Sequence, residues 1–228
     1  MNKINLKKFA TGLVLIIGYI FILPWLSVNI FNLLNLDLTN NFIYLLLNLS
    51  VYLTSLIILL IVYRKSIFKE FKDFIKNFFS FSKIGIKYWL QGLVFMLLTN
   101  TIIIYITGGM AANEEGNRSL ISLYPIFSII SMSILGPFLE ELLFRKGFKE
   151  AFEDKKQFLI VSSLLFGSVH LLASLTNFEW TQLLFIIPYA GFGYFFGKAY
   201  LETNNIYTST FAHMLHNTLS VIIVLIGV

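Results

Sequence analysis

Long apolar segments, separated by short polar clusters, dominate the sequence. A transmembrane helix needs about 20 apolar residues to cross roughly 30 Å of hydrocarbon, and segments of this kind recur along the whole chain. They predict seven transmembrane helices: Phe9–Phe31, Phe42–Tyr63, Ile84–Ile106, Ile121–Phe144, Phe158–Leu175, Leu183–Tyr200 and Ile206–Val228. Pro125 and Pro137 lie within the fourth segment, so the sequence leaves open whether this helix is split.

The segment Ile67–Phe79 has a different pattern from the spans on either side. Its apolar residues recur at helical spacing, with three lysines and an aspartate between them. This pattern predicts an amphipathic helix in the cytoplasmic interface, which either gathers substrate or simply anchors two spans. The polar stretch Gly108–Ser119 lacks such a pattern and predicts a short external loop.

The composition is not that of a water-soluble protein. Hydrophobic residues make up 57% of the 228 residues and charged residues only 13%, whereas soluble chains carry about 25% charged residues. A cytosolic enzyme, a DNA-binding module and a disordered tail are excluded. The sequence therefore predicts one all-α integral membrane domain, residues 1–228, a polytopic bundle. The absence of cysteine excludes a disulfide scaffold, a cysteine nucleophile and a thiolate zinc site.

The basic residues divide almost completely between the two sides of a seven-helix topology. All of the 17 Lys and Arg residues except Arg118 fall on the side that holds the amino terminus and the connections Arg64–Lys87 and Arg145–Lys156. By the positive-inside rule we expect a cytoplasmic amino terminus and an external carboxyl terminus. The net charge of +5 then reflects orientation, and no nucleic acid partner is expected. The abundance of Lys, Asn, Ile and Phe is typical of an AT-rich bacterium and indicates a bacterial cell membrane.

Ionisable side chains at membrane depth indicate function by default, because a charge inside a bilayer is costly. Three groups stand out: Glu140, Glu141 and Arg145; His170; and His213, His216 and Asn217. Glu141 and Arg145 are four residues apart on one helix face and can pair. Glu140 is turned about 100° away and has no local cation, so it suits general-base chemistry. The alternative is that all three residues of the first group only end a helix at the lipid headgroups.

His213 and Asn217 share one face of the seventh predicted helix, and His216 lies beside them. Imidazole and amide groups at this spacing could bind a metal, donate to an oxyanion or cross-link helices. At about 1.5 Å per residue, His213 lies level with Glu140, whereas His170 lies deeper. A lone histidine in an apolar helix, such as His170, is more often a packing residue than a catalyst.

A Gly-x-x-x-Gly face is predicted on the sixth helix. Gly193 and Gly197 form it, and Gly191 adjoins it. Small residues let neighbouring helices approach closely, so we expect this face to pack against a helix that carries site residues, with the seventh helix as the expected partner.

Three motifs in this order on predicted membrane helices, Glu-Glu-x-x-x-Arg, Phe-x-x-x-His and His-x-x-x-Asn, resemble the CPBP family of intramembrane proteases. The matching residues are Glu140, Glu141, Arg145, Phe166, His170, His213 and Asn217, and the run Gly191–Gly197 is also similar. The resemblance covers residues 121–217, the motif-bearing core. The family includes the type II CAAX prenyl endopeptidases and the bacterial Abi proteins linked to bacteriocin processing and self-immunity.

The resemblance implies an intramembrane endopeptidase acting near the cytoplasmic face. One pair of residues would activate the attacking water (Glu140 and His170), a second pair would stabilise the oxyanion (His213 and Asn217), and the others would support the site (Glu141, Arg145 and Phe166). The alternative is a divalent metal such as zinc, because Glu140, His170 and His213 would suffice as ligands; the sequence leaves open whether there is any cofactor. His216 matches no family position and is expected to be a packing or access residue.

The expected partners are the lipid bilayer and a peptide or membrane-protein substrate. One branch of the family cuts prenylated CAAX proteins, but in a bacterium a peptide pheromone, a bacteriocin precursor or a membrane regulator is the stronger expectation. The alternative function is a non-proteolytic immunity or scaffold protein of the same fold. A transporter or proton relay is a third, although the sequence lacks the inverted repeat that would favour it.

Overall fold

All regular secondary structure in the described part of the chain is helical. The computed structural model describes residues 4–175 and 180–227. Lys3 and Val228, which the predicted topology uses, lie outside the described residues. The helices are α1 (Leu6–Leu33), α2 (Asn41–Lys76), α3 (Phe78–Thr107), α4 (Ala112–Leu123), α5 (Pro125–Lys149), α6 (Lys155–Val169), α7 (Ile186–Thr203) and α8 (Ile206–Leu225). Short 3-10 turns, Leu172–Leu175 and Trp180–Phe185, lie between α6 and α7.

The prediction of an all-α membrane helix bundle is confirmed. Among the described residues, five helices are long and apolar enough to cross a membrane: α1, α2, α3, α5 and α8. The predicted fifth and sixth spans are present as α6 and α7. They fall short of that standard because α6 has only 15 residues and the 18 residues of α7, which include glycines and tyrosines as well as Lys198 and Glu202, have too low a mean hydropathy. Both pack inside the bundle, where Phe166 of α6 lies edge-on to Phe196 of α7.

The Lys- and Arg-rich connections lie together at one end of the bundle, which we call the basic end. Lys8 of α1 pairs there with Glu150 at 2.7 Å. Glu70 of α2 accepts a hydrogen bond from the backbone N–H of Ile206 at 2.7 Å and so stabilises the start of α8. α4 connects α3 to α5 at the opposite end.

The predicted amphipathic helix is present, but it continues α2 instead of standing alone. α2 runs unbroken for 36 residues, and only Asn77 separates it from α3. No glycine or proline lies between Tyr63 and Asn77, so the sequence offers no signal that would end the helix sooner. Ile67 and Phe74 anchor this part because they are buried against the bundle, whereas Phe68 is exposed.

The predicted external loop Gly108–Ser119 is wrong, because most of it forms α4. Glu114 and Glu115 occupy the first turn, where carboxylates stabilise a helix, and Ile121 is buried on the inner side. Pro125 is the first residue of α5, a position that suits its fixed φ and missing N–H. The predicted fourth span is therefore split at its first proline.

Candidate active site

Two wide helical turns in α5 flank Glu140. They are the π-helical segments Ser131–Leu135 and Glu141–Lys146. Pro137 follows the first segment and lacks the N–H that an ordinary α-helical turn would use there. π-helical turns change the direction of the side chains around them and occur often at functional sites. This part of α5 is therefore a candidate functional site.

Glu141 and Arg145 form the buried pair that their spacing predicted. Arg145 Nε lies 3.5 Å from Glu141 Oε2, and both side chains are 0% exposed. The guanidinium also donates to the Gly193 carbonyl at 3.1 Å and to the Ser162 carbonyl at 3.4 Å. It lies 4.8 Å from the centre of the Phe166 ring, a favourable cation–π contact. Arg145 therefore joins α5 to both α6 and α7.

His213 of α8 lies between the two neighbouring carboxylates of α5. Its Nδ1 is 3.1 Å from Glu141 Oε1, and its Nε2 is 3.7 Å from Glu140 Oε2. Within the described part of the chain, Glu140 Oε2 is buried and has no hydrogen-bond partner, and the side chain as a whole is 21% exposed. Glu141 is thus engaged by Arg145 and His213, while Glu140 keeps oxygens that can accept a proton.

A cavity of about 110 Å³ brings together three of the four predicted catalytic residues. His170, His213 and Asn217 line it, together with His216. Asn217 donates from Nδ2 to the carbonyl of Met132, at 2.9 Å, and so ties α8 to the first π-helical segment. The fourth residue, Glu140, adjoins the cavity through its contact with His213.

His170 directly follows α6, and contacts with Phe166 and Tyr189 fix its orientation. Nδ1 lies 2.8 Å from the Phe166 carbonyl, and the ring lies 4.5 Å from the Phe166 ring and 4.8 Å from the Tyr189 ring, centre to centre. Since a carbonyl only accepts hydrogen bonds, Nδ1 carries the proton and Nε2 is left as an acceptor. The rise per residue predicted that His170 lies farther from the basic end than His213. Both histidines nevertheless line the same cavity.

Sequence reasoning missed site residues in α4 and α7. Asn113, Glu114 and Asn117 of α4 line the same cavity, and Asn113 donates from Nδ2 to the Tyr189 hydroxyl at 3.4 Å. α4 therefore covers the cavity at the end opposite the basic end. The signal was present, since Asn113 and Asn117 are four residues apart and share a face once the segment is treated as a helix.

Two further tyrosines near Glu140 were also missed. Tyr19 of α1 and Tyr52 of α2 line a separate groove of about 260 Å³, and both phenol groups interact electrostatically with the Glu140 carboxyl group. Glu140 therefore has polar neighbours in the first two helices as well as in α8. Neither tyrosine belongs to a polar cluster or a motif, so no pattern in the sequence distinguished it from the other aromatic residues.

The predicted metal ligands do not form a metal site in this structure. Across residues 4–175 and 180–227, no three His, Cys, Asp or Glu side chains come close enough together to hold a metal ion. A catalytic zinc usually has three protein ligands. Of the proposed set, His213 and Glu140 are in contact, while His170 is held by Phe166 and Tyr189.

The Gly-x-x-x-Gly face of α7 packs against α6, so the expectation that it meets the seventh helix is wrong. A Cβ atom at Gly193 would lie 2.9 Å from the Phe166 ring, and one at Gly197 would lie 2.7 Å from Leu159. Phe192 and Phe196 of α7 contact α8 instead, with Phe196 stacked on His213 at 4.5 Å between ring centres. Large rings fill the wider gap to α8, and glycines permit the close approach to α6.

Gly193→Ala is expected to destabilise the protein by about 1–3 kcal/mol, the usual cost of overpacking a core. The added methyl group would press on Phe166 and on the Arg145 guanidinium, which is 3.2 Å from its position. The measurement is the midpoint of thermal unfolding in detergent. Gly116→Ala is the matched control, because nothing lies within 4 Å of a Cβ there. Equal midpoints for the two variants would show that α6 and α7 are not closely packed at Gly193.

Comparison with known proteins shows that the motif-bearing core is similar to one family. Residues 122–219 match the family model described as type II CAAX prenyl endopeptidase Rce1-like. The candidate membrane peptidase YdiL of Bacillus subtilis is 33% identical over 118 residues, which are 50% of this chain and 44% of YdiL. The membrane-embedded CAAX protease MroQ of Staphylococcus aureus is 32% identical over 146 residues, 59% of this chain and 55% of MroQ.

A third relative, the UPF0177 protein YxdF of Lactococcus lactis, is 29% identical over 133 residues, 55% of this chain and 70% of YxdF. No solved structure matches the chain. The chain thus spans about half the length of YdiL and MroQ. The matched region contains all seven motif residues, which confirms the resemblance drawn from those motifs. Over residues 122–219, this integral membrane protein is similar to the Rce1-like family of type II CAAX prenyl endopeptidases.

Proposed function

We propose that the chain is an intramembrane endopeptidase in which Glu140 is the general base. The observation that carries this proposal is the different state of two adjacent carboxylates. Glu141 is fully buried and paired with Arg145, whereas Glu140 is 21% exposed and, among the described residues, has no arginine or lysine partner. A carboxylate that is held in place but not neutralised is what general-base catalysis requires.

In the proposed reaction, Glu140 takes a proton from a water molecule while His170 Nε2 accepts a hydrogen bond from the same water. The hydroxide adds to the carbonyl carbon of the scissile peptide bond. Asn217 donates a hydrogen bond to the oxyanion that forms. His213, whose Nδ1 donates to Glu141 Oε1, donates to the oxyanion from Nε2 as an imidazolium, in which both ring nitrogens carry protons. The C–N bond then breaks, and Glu140 passes its proton to the departing amine. One water is consumed, and its hydroxyl group and proton end on the new carboxyl and amino termini.

The proposed substrate is a peptide or a membrane protein with an extended segment at the level of Glu140. The names of YdiL and MroQ, a candidate membrane peptidase and a CAAX protease, support peptide-bond hydrolysis. A bacterial cell membrane and a cytoplasmic basic end follow from composition and from the distribution of Lys and Arg. A bacterial peptide precursor or membrane regulator fits this setting.

The test is cleavage by the purified chain in lipid nanodiscs. A mixture of synthetic peptides, representing secreted-peptide precursors and juxtamembrane segments, would be incubated with the chain, and new termini would be identified by mass spectrometry. Products that depend on the chain are expected. Binding of peptides without any cleavage would instead favour the immunity or scaffold function.

Asn217→Ala is expected to lower kcat by about 10²- to 10³-fold, the usual effect of removing one oxyanion donor, and to change KM little. Asn29→Ala is the matched control, since Asn29 also donates from Nδ2 to a helix carbonyl, that of Trp25 at 2.7 Å, but is exposed on α1. The measurement is steady-state kinetics on a cleaved peptide, with zinc content determined on the same samples. Stoichiometric zinc, together with an Asn217→Ala rate near that of the control, would contradict the oxyanion assignment.

A further inference from the structure

A large charged cavity opens at the basic end, and Glu140 is not among the residues that line it. Its volume is about 1110 Å³, and it lies between the start of α1, the extension of α2, the end of α5 and the turn between α7 and α8. We call it the basic basin. Its cationic side chains are Lys8, Arg64, Lys65, Lys69, Lys146 and Lys149, and its carboxylates are Glu70, Asp73 and Glu150. Cations outnumber anions two to one, so the basin attracts negative charge.

The carboxylates of the basin are already engaged. Glu150 pairs with Lys8 at 2.7 Å. Glu70 pairs with Lys146 and also accepts from the start of α8. Asp73 accepts from Asn77 Nδ2 at 2.9 Å. Lysines thus neutralise two of the three carboxylates, and the third, Asp73, cannot balance the charge of the remaining cations.

Three cations of α2 remain unpaired. Arg64, Lys65 and Lys69 are exposed, and the described part of the chain offers them no ion pair or side-chain hydrogen bond. Lys65 and Lys69 are one helical turn apart on the same face, and Arg64 adjoins them. Three neighbouring cations that face a common cavity form a place for a phosphate group, which both guanidinium and ammonium groups bind well.

The apolar lining next to these cations indicates the kind of phosphate compound. Ile61 and Val62, less than one turn before Arg64, line the same cavity and are 63% and 50% exposed. The basin therefore changes from apolar to cationic along a single helix. A phospholipid has the same order of groups, with acyl chains beside a phosphate. A soluble phosphate compound has no acyl chain to contact Ile61 and Val62.

We propose that the basic basin binds the phosphate headgroup of an anionic phospholipid between Arg64, Lys65 and Lys69, with its acyl chains along Ile61 and Val62. The lipid completes the charge balance of the cavity and holds α2 beside the ends of α1 and α5. This site is separate from the proposed protease site, so the two are tested independently.

The test compares lipid binding by three forms of the purified full chain. The charge variant combines Arg64→Gln, Lys65→Gln and Lys69→Gln. The matched control combines Lys72→Gln, Lys76→Gln and Lys83→Gln, which removes the same charge from exposed lysines outside the basin. Dioleoyl phosphatidylglycerol is titrated into protein in neutral detergent, and binding is read by native mass spectrometry and by the midpoint of thermal unfolding.

We expect the wild type and the control to bind phosphatidylglycerol alike and the charge variant to bind it about 100-fold more weakly, from roughly a fivefold loss per cation. Equal weakening in the control and the charge variant would overturn the proposal, because it would show a general charge effect. The lipid assignment would also be overturned if glycerol phosphate without acyl chains stabilised the wild type as well as the lipid, or if a poly-glutamate peptide displaced the lipid completely. Since the replaced residues are exposed, all three proteins are expected to fold.

Discussion

Glu140→Gln is expected to lower the rate of peptide cleavage by about 10²- to 10⁴-fold, the usual contribution of a general base, while thermal stability stays unchanged. Glutamine keeps the size of the side chain but loses the negative charge and the ability to take up a proton. In the described structure Glu140 Oε2 makes no hydrogen bond, so the substitution removes no hydrogen bond from that oxygen. The substitution is therefore expected to lower the rate of catalysis without lowering thermal stability.

The rate is measured on a peptide that the wild type cleaves, and the folded state is checked by the thermal midpoint of the same preparation. Glu115→Gln provides the control, because it makes the same chemical change on an exposed position of α4. Its rate is expected to match that of the wild type. If Glu140→Gln cleaves as fast as Glu115→Gln, Glu140 is not the base and the proposed mechanism is wrong.

Arg145→Met is expected to destabilise the protein by about 3–5 kcal/mol, the usual cost of breaking a buried ion pair by removing one partner. Methionine fills much of the arginine volume but leaves the carboxylate of Glu141 buried and opposite only His213. The carbonyls of Gly193 and Ser162 also lose the donor that joins α5 to α6 and α7. The measurement is the free energy of unfolding by denaturation in mixed detergent micelles.

Arg118→Met makes the identical change in a pair with the same spacing. Arg118 Nε lies 2.9 Å from Glu114 Oε1, but these side chains are 41% and 40% exposed. An exposed pair contributes only about 0.2–1 kcal/mol, so this variant is expected to be nearly as stable as the wild type. Similar losses in the two variants would mean that burial does not determine the importance of the Arg145 pair.

Local spacing along single helices predicted much of the site. Glu141 and Arg145 pair because four residues bring side chains to one helix face, and the same rule placed His213 and Asn217 together. Within the described chain, the apolar segments predicted the long helices for a related reason, since crossing a bilayer fixes a minimum apolar length. These features depend on the sequence of one helix at a time.

Features that depend on contacts between helices were missed or wrong. Gly193 allows close approach to any helix. Its partner is α6 because Phe192 and Phe196 of the same helix α7 fill the gap to α8. Tyr19 lies near Glu140 only because α1 packs beside α5. The segment that forms α4 is polar for a membrane protein, and its single buried anchor, Ile121, had been assigned to the next span. No pattern within one segment contains this information.

The contact of His213 with the two glutamates also bears on biosynthesis. His213 follows Glu141 by 72 residues, and synthesis proceeds from the amino terminus, so α5 enters the bilayer well before its partner exists. A lone charge near the centre of an inserting helix costs about 2.5–3.5 kcal/mol. The opposite charges of Glu141 and Arg145 offset each other within one turn of the nascent α5. Of the three residues Glu140, Glu141 and Arg145, only Glu140 then has a charge without a partner. The candidate site is thus completed only after α8 has been synthesised, and the proposed activity is not expected before that point.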